Sequence, residues 1–469
     1  MKKFVLVVFA LMIVAGAICA FLARPEPEKL DGAWAYKEDE NGVTIEYYRG
    51  QEVNVIIPEK INGQSVISIS KDAFRGCDTV SSVTIPGTCK EIDDYAFAEC
   101  PIRTLHLEEG VEVLGFGCFQ GTSLTSVDLP STIVLIQNLA FSKTPLSKIT
   151  YSGRIAHIAE GAFEDTPWEK AQPDSQVFRL GSVVFGVKGN MSGTSFNVPE
   201  GITAISGLRG PFLSIVFPAS LERLWMDSDL LPDLQTVEFQ SKSNKDHPLQ
   251  LEDGIFENFT RLSRVNLSNV IQEMPSGMFK DCSSLVSVTW NEGVSIGSEA
   301  FLRCESLQTF SLPDTVTEIG SFAFLGTGLQ QITFPEGLLK ICKQAFTNCA
   351  LTKVSIPKGT EVEEQAFSHC DSLCTAVLSC SEVGESMFYE CQSLERVELL
   401  DGVKTVQKNA FENCSALKQL YIGNSVAWIF PEAFGKSGYS NRLNIIAPEG
   451  SYGEVFAHNR NLYYIAGER

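Results

Sequence analysis

The stretch AFENCSALKQLYI, residues 410–422, opens on Ala-Phe, sets a cysteine three residues after the Phe, and closes on a short apolar/polar alternation. The same plan returns as AFAECPIRTLHL (96–107), AFLRCESLQTFSL (300–312) and AFTNCALTKVSI (345–356). Working outward from it gives a ladder of phenylalanines: Phe74, Phe97, Phe119, Phe141 and Phe163, then Phe256, Phe279, Phe301, Phe324, Phe346, Phe367, Phe388, Phe411 and Phe434. Steps are 22 or 23 residues in the first block and 21 to 23 in the second. The 93 residues from Phe163 to Phe256 come close to four more periods. Self-similarity at a fixed period of this size indicates a repeat architecture.

Each unit approximates I-G-x-x-A-F-x-x-C-x-x-L-x-x-V-x-[IL]-P-x-x-V. In LTSVDLPSTI (124–133), Val127 and Leu129 alternate with polar residues, which places them on one face of a short strand. Pro130 ends that strand because it has no N–H for a further ladder bond. In the other half-unit, Ile92, Ala96 and Cys100 recur at i, i+4 and i+8, the spacing of one face of a short helical turn. A strand and a turn in about 22 residues cannot bury their apolar faces alone, whereas stacked coils can. The expected fold is a repeat solenoid of stacked coils, each with a short strand and a short helical turn, the strands along one side.

Composition agrees with a folded chain, with 44% hydrophobic and 20% charged residues among 469. The net charge of −20 carries no basic cluster, which argues against nucleic acid as a partner.

Cysteines recur in one slot, three residues after a ladder Phe: Cys77, Cys100, Cys282, Cys304, Cys349, Cys370, Cys391 and Cys414. Thr122, Thr144, Thr166 and Thr327 take the same slot in other coils. A position that accepts Cys or Thr calls for a small side chain with modest hydrogen-bonding capacity, so packing is the expected role rather than disulfides or metal.

The N-terminus has Lys2 and Lys3, an apolar stretch over residues 4–23, then Arg24 and a Pro/Glu-rich segment. Basic residues before an apolar run describe an export signal. The stretch allows cleavage after Ala20, retention as a membrane anchor, or lipidation at Cys19, and each fate carries the body out of the cytoplasm.

Three segments depart from the unit. GVTIEYYRGQEVNVIIPEKINGQSVISIS (42–70) holds two alternating runs about Arg49-Gly50-Gln51 and is expected to form a capping hairpin. TPWEKAQPDSQVFRLGSVVFGVKGNMSGTSFNVPEGITAIS (166–206) inserts a second hairpin, and the coils over 202–239 are degenerate, followed by a polar loop at 240–248. The last 22 residues lack the signature and read as a cap. The expected organisation is therefore residues 1–23 as signal peptide or anchor and 24–70 as linker and N-terminal capping hairpin. The first repeat block follows at 71–172, the hairpin insertion at 173–198, the second block with its degenerate coils at 199–447, and the C-terminal cap at 448–469.

The unit, the opening GVTIEYYRG, the TPWEK and GSVVFGVKG of the insertion and the closing GSYGEVFAHNRNLYYI together resemble the BspA-like, or Treponema pallidum-type, leucine-rich repeat proteins. The resemblance spans nearly all of residues 31–469. It implies export, display at a cell surface or secretion, and adhesion or other protein–protein interaction, with host matrix or cell-surface proteins as partners. It brings no catalytic residues. Pro130, Pro313, Pro335 and Pro357 stand where commoner leucine-rich repeats carry an Asn ladder, and surface attachment is expected to come from the N-terminus.

No chemistry is expected. His106, His157, His247, His369 and His458 lie on different coils or loops, and His369 with Cys370, Cys374 and Cys380 lacks paired zinc-ligand spacing. There is no G-x-S-x-G, Walker or H-E-x-x-H motif, so neither an enzyme nor a cofactor is anticipated. A binding role needs a surface instead. Thr84, His106, Asp128, Thr150, Thr289, Ser311, Thr333, Ser355, Glu398 and Tyr421 fall between the last two apolar strand positions and should form one continuous outward row on the concave side. Trp168 in the insertion and Trp225 in the degenerate coils are further candidates, because irregular patches on a regular scaffold often carry function. The expected function is an exported binding or adhesion scaffold for other proteins; the alternatives are an envelope-organising structural protein and a carbohydrate-binding module.

Overall fold

A computed structural model describes residues 29–467, apart from 152, 154, 156, 173–176, 188–194, 241–248, 250, 269 and 436–442. The apolar N-terminal stretch, with Cys19, and most of the 240–248 loop lie outside the described residues. Each regular coil has three sides. One is a strand of about four residues, such as Ser82–Ile85 or Lys353–Ile356. The second is a two-residue strand, such as Glu91–Ile92 or Lys340–Ile341. The third is the turn that carries the ladder Phe. Both kinds of strand pair in parallel with their equivalents one coil away.

The ladder phenylalanines stack face to face inside the turn side. Ring centroids are 5.1 Å apart for Phe324 and Phe346 and 5.5 Å apart for Phe119 and Phe141, close to the spacing of the coils themselves. Each ring is buried, which stabilises the coil by roughly 1.5–3 kcal/mol, and stacked aromatic pairs add about 0.5–1.5 kcal/mol.

The turn side corrects one expectation in most coils: helix content is low, and the Phe-bearing segment is a chain of turns, with a 3-10 helical turn at Glu160–Phe163. Tyr95 and Glu99 on either side of Phe97 are left-handed (φ 54° and 64°), as are Gln344 and Asn348 around Phe346 (φ 54° and 56°). The amides then alternate in direction. Ala96, Ala98 and Cys100 donate within the coil, to Asp93, Tyr95 and Phe97. Tyr95, Phe97 and Glu99 donate across to Phe116, Cys118 and Gln120 of the next coil, each at 2.8 Å. The i, i+4, i+8 pattern is present, yet bonding between coils satisfies N–H groups that a helix would have turned inward.

The chain divides into two compact units. The first holds the described residues up to 192, with Gly201–Gly210 and Arg223–Met226. Its capping hairpin is present but uses other strands than the two runs about Gly50: Trp34–Glu38 pairs antiparallel with both Lys29–Asp31 and Val43–Tyr48. The second run is split between the two ladders. Asn54–Ile56 joins the long-strand face beside Ser82–Ile85, and Gln64–Ile69 lies parallel to Val43–Tyr48. The inserted hairpin is Val177–Leu180 against Val183–Val187, and the latter pairs with Ala204–Ile205.

The second unit holds the remaining described residues, with two runs of long strands. The earlier run joins Ser195–Asn197, Ser214–Phe217, Thr236–Phe239, Arg264–Ser268 and Ser287–Trp290. The later run starts at Lys353–Ile356 and ends at Asn444–Ala447 and Tyr463–Ala466. The helix Tyr452–Asn459 lies between those last two strands in sequence, capped by the Ser451 hydroxyl.

Candidate functional site

The two runs of long strands in the second unit are separated by two coils, 309–312 and 331–334, that form no strand. Their pairing shrinks to a single bridge, Thr309 with Gln331. The other two sides of the same coils stay closed. The short ladder runs unbroken from Ser295–Ile296 through Glu318–Ile319 and Lys340–Ile341 to Glu361–Val362. The Phe stack also continues, and it tightens here: centroids from Phe301 to Phe324, Phe346 and Phe367 step by 5.0, 5.1 and 5.2 Å, against 5.4 to 5.9 Å elsewhere in this unit's stack.

Sequence supplies the wedge. The second strand position is aliphatic in most coils, for example Val83, Val127, Val265, Val354 and Leu420; it is Phe310 here and Phe196 in the paired strand Ser195–Asn197. The Phe310 ring enters the core between Phe301 and Phe324, at 4.9 and 5.6 Å. Phe334, at the fourth position of the next coil, reaches Phe346 and Phe367 at 5.5 and 6.4 Å. Two rings thus pack into the core from the strand side where the main chain forgoes its ladder bonds.

The result is a cleft of two adjoining cavities, 620 Å³ over 309–336 and 580 Å³ over 331–357, which share Gln331, Thr333 and Glu336. Phe310 and Phe334 form its floor and are only 7% and 6% exposed. Its walls are the exposed Thr309, Ser311, Gln331, Thr333, Thr352 and Ser355. Charge is confined to the ends of the strand direction: Lys353 at the start, Asp314 and Glu336 past the fourth position.

The predicted row is thus found in segments. In the first unit Thr84 lies beside His106 and Asp128 beside Thr150, with no ladder pairing registered between the two pairs. In the second, Thr289 adjoins Asn266 and Glu238, and Ser355 leads through Val377 and Glu398 to Tyr421. Ser311 and Thr333 stand in the cleft. Glu398 corrects the expectation of an outward row: its side chain is 3% exposed, held by the Arg396 guanidinium at 2.8 Å. An arginine two residues away on its own strand covers it.

Trp168 and Trp225 are engaged in packing. Trp168 sits in the short helix Pro167–Lys170, 5.2 Å from Phe163 and 6.2 Å from Phe185, and packs beside the end of the first stack. Trp225 meets His157 edge-to-face at 5.4 Å. Burial lowers the His157 pKa to about 4.

The described cysteines are all thiols. Burial raises the pKa values of Cys89, Cys100, Cys380 and Cys414 to about 12 and that of Cys342 to about 11. His369 lies 3.4 Å from Glu390, Cys370 is buried against Phe346 and Cys374 is exposed; no group of three potential ligands able to hold a metal occurs among the described residues.

Gln331, Lys353, Asp314 and Glu336 escaped the sequence reading, as did the wedge itself. The available signal is weak: Phe310 is an aromatic at a mostly aliphatic position, but Phe196 shares that position in a coil that keeps its pairing.

These features define a parallel-stranded leucine-rich repeat solenoid. The profile of the BspA type leucine rich repeat region matches six copies, over residues 53–169, 233–327, 294–415 and 360–465, so the chain belongs to that family. No curated protein sequence matches it. Among solved structures it is similar to a leucine-rich repeat protein from Bacteroides ovatus, at 18% identity and a TM-score of 0.34, covering 94% of this chain and 100% of that one. A leucine rich cell surface protein from Faecalibacterium prausnitzii gives 18% and 0.27 (95% and 100% covered), and the pneumococcal vaccine antigen PcpA gives 16% and 0.34 (95% and 100% covered).

Proposed function

We propose that this chain is an exported scaffold that binds another protein at a cell surface or in the extracellular space, without chemical turnover. The observation that carries the reading is the cleft over 309–357, between the two runs of long strands of the second unit, lined by exposed hydroxyl and amide side chains. Membership of a family commonly found at surfaces supports display, as does the basic-then-apolar segment at residues 2–23. Among the described residues no helix is long and apolar enough to cross a membrane, so on this reading attachment depends on residues 4–23. A carbohydrate-binding role is less well supported, because Phe310 and Phe334 are buried as floor and offer no open ring for a sugar to stack on.

Protease shaving of intact producing cells, with released peptides identified by mass spectrometry, tests the reading. Peptides from residues 31–469 are expected. Protection until the envelope is opened would overturn display and favour an envelope-organising role.

A further inference from the structure

We propose that the chain self-associates through the edge of its last strand, Tyr463–Ala466, which pairs antiparallel with the same strand of a second copy about a two-fold axis at Ile465. The proposal goes beyond the scaffold reading and does not depend on it. Tyr463–Ala466 is the last strand of its six-stranded sheet: it pairs in parallel with Asn444–Ala447 and has no strand on its other side among the described residues. The Gly467 amide donates to the Ala447 carbonyl. By alternation the main-chain groups of Tyr463 and Ile465 turn to that neighbour as well, and those of Tyr464 and Ala466 turn outward. The N–H and C=O of these two outward residues have no main-chain partner among the described residues. Solvent or another strand must satisfy them.

Exposed edges are ordinarily guarded by charge, proline or a bulge. This one has none of the three: residues 461–467 read NLYYIAG, and the register with Asn444–Ala447 is unbroken. The side chains on its open face are instead large and apolar, with Tyr463 68% and Ile465 41% exposed. They end an apolar row that runs from Tyr421 through Ile446 to Ile465. The helix Tyr452–Asn459 does not cover that face. It packs on the inward side of the sheet, where Phe456 meets Phe434 and His458 meets Tyr464.

The strand fits itself. With the axis at Ile465, Tyr464 falls opposite Ala466 of the second copy, and Ala466 opposite its Tyr464, so every outward N–H meets a C=O. Ile465 then lies beside Ile465 of the second copy, and Tyr463 covers its Gly467, as aromatics do for glycines at sheet edges. The net charge of −20 opposes self-association, but a segment without charged residues sets no like charges against each other across the axis. Four residues of strand edge make a small interface, so the dimer is expected to be weak and concentration-dependent.

Disulfide trapping on the full chain in producing cells is the test. Facing residues of a non-hydrogen-bonded antiparallel pair have Cα atoms about 4.5 Å apart, within the span of a disulfide. In a Cys374→Ser background, which removes the exposed native thiol, Ile465→Cys should give a covalent dimer of the chain under mild oxidation. Ile446→Cys, one strand further in, should give less than a tenth as much. Adding Ala466→Pro removes an outward N–H at an edge where proline is tolerated, and should lower trapping by Ile465→Cys at least tenfold. Should Ala466→Pro fail to fold, Tyr463→Lys, at an exposed position, guards the same edge with charge. No dimer from Ile465→Cys, equal trapping from Ile446→Cys, or trapping that ignores the edge variants overturns the proposal. So does an Ile465→Cys adduct whose second chain is a different protein. Each of these outcomes leaves display and the cleft untouched, since neither involves the last strand.

Discussion

The thiol of Cys100 donates to the main-chain carbonyl of Phe74, twenty-six residues earlier, at 2.9 Å. The contact recurs along the ladder: Cys282 with Phe256, Cys304 with Phe279, Cys349 with Phe324, Cys370 with Phe346, Cys391 with Phe367 and Cys414 with Phe388, all between 2.9 and 3.1 Å. Threonine in the same slot behaves differently. Thr122, Thr144 and Thr166 bond the Phe carbonyl of their own coil, at 3.0, 2.8 and 2.8 Å. The slot therefore needs a small donor, and cysteine uses it to tie one coil to the one before.

Substitution at Cys391 should follow that rule. Cys391→Thr keeps a donor but redirects it to the Phe388 carbonyl, leaving that of Phe367 without its thiol, at a cost of about 1 kcal/mol. Cys391→Leu keeps no donor and overpacks a fully buried site, at a cost of about 1–3 kcal/mol. Urea unfolding of both variants, compared by their midpoints, measures the difference; a leucine variant as stable as the threonine one would contradict the slot rule.

Thiol labelling should separate the cysteines by burial. Cys374 is exposed and Cys77 half-buried, whereas the other eleven described thiols are buried. Brief alkylation of native protein followed by peptide mapping should mark Cys374 first and Cys77 more slowly. The rest should react only after denaturation, since burial blocks access to the reagent.

The phenylalanines should divide into supports and wedges. Phe346→Ala removes a ring stacked at 5.1 and 5.2 Å on both sides and should cost about 3–5 kcal/mol. Phe310→Val places the aliphatic residue of most other coils and gives the ladder room to close, so its cost should be smaller, about 1–3 kcal/mol. Hydrogen exchange on Phe310→Val should show new protection at 310–312. A loss equal to that of Phe346→Ala, with no new protection, would mean that Phe310 supports the coils rather than parting them.

Much of this was legible in the chain because a repeat states its core many times. The spacing of Phe74 to Phe434 fixes the coil, and the alternation at Val127 and Leu129 fixes the strand. The helical turn was misread because periodicity does not distinguish intracoil bonds from intercoil ones; the left-handed Tyr95 and Glu99 decide that, and neither residue type advertises it. Glu398 was misread because its burial depends on Arg396 folding over it, a contact between residues on the same strand that alternation assigns to open solvent. The cleft was missed for a different reason. It lies where two coils lose their strand pairing beside Phe310 and Phe334, and inward aromatics alone do not foretell that, since Phe196, Phe217 and Phe239 stand in strands that pair.

His157 gives a pH dependence with a definite sign. Its Nδ1 is buried with no hydrogen-bond partner, and its ring packs against Trp225. Burial lowers its pKa from 6.5 to about 4, so the folded state holds the neutral ring where the unfolded chain would take up a proton. Stability from this site is fully present above pH 6.5. It is lost progressively as pH falls from 6.5 to about 4, because the unfolded state binds more protons over that window, and below 4 the loss levels off. For a half-buried ring the total is about 2–3 kcal/mol. His157→Gln cannot titrate, so its unfolding free energy should fall less than that of wild type between pH 7 and pH 4.5. Carboxylates titrate alike in both proteins and cancel in the difference. Parallel stability curves for the two would show that His157 is already solvated in the folded chain, and the packing of Trp225 over it would have to be abandoned.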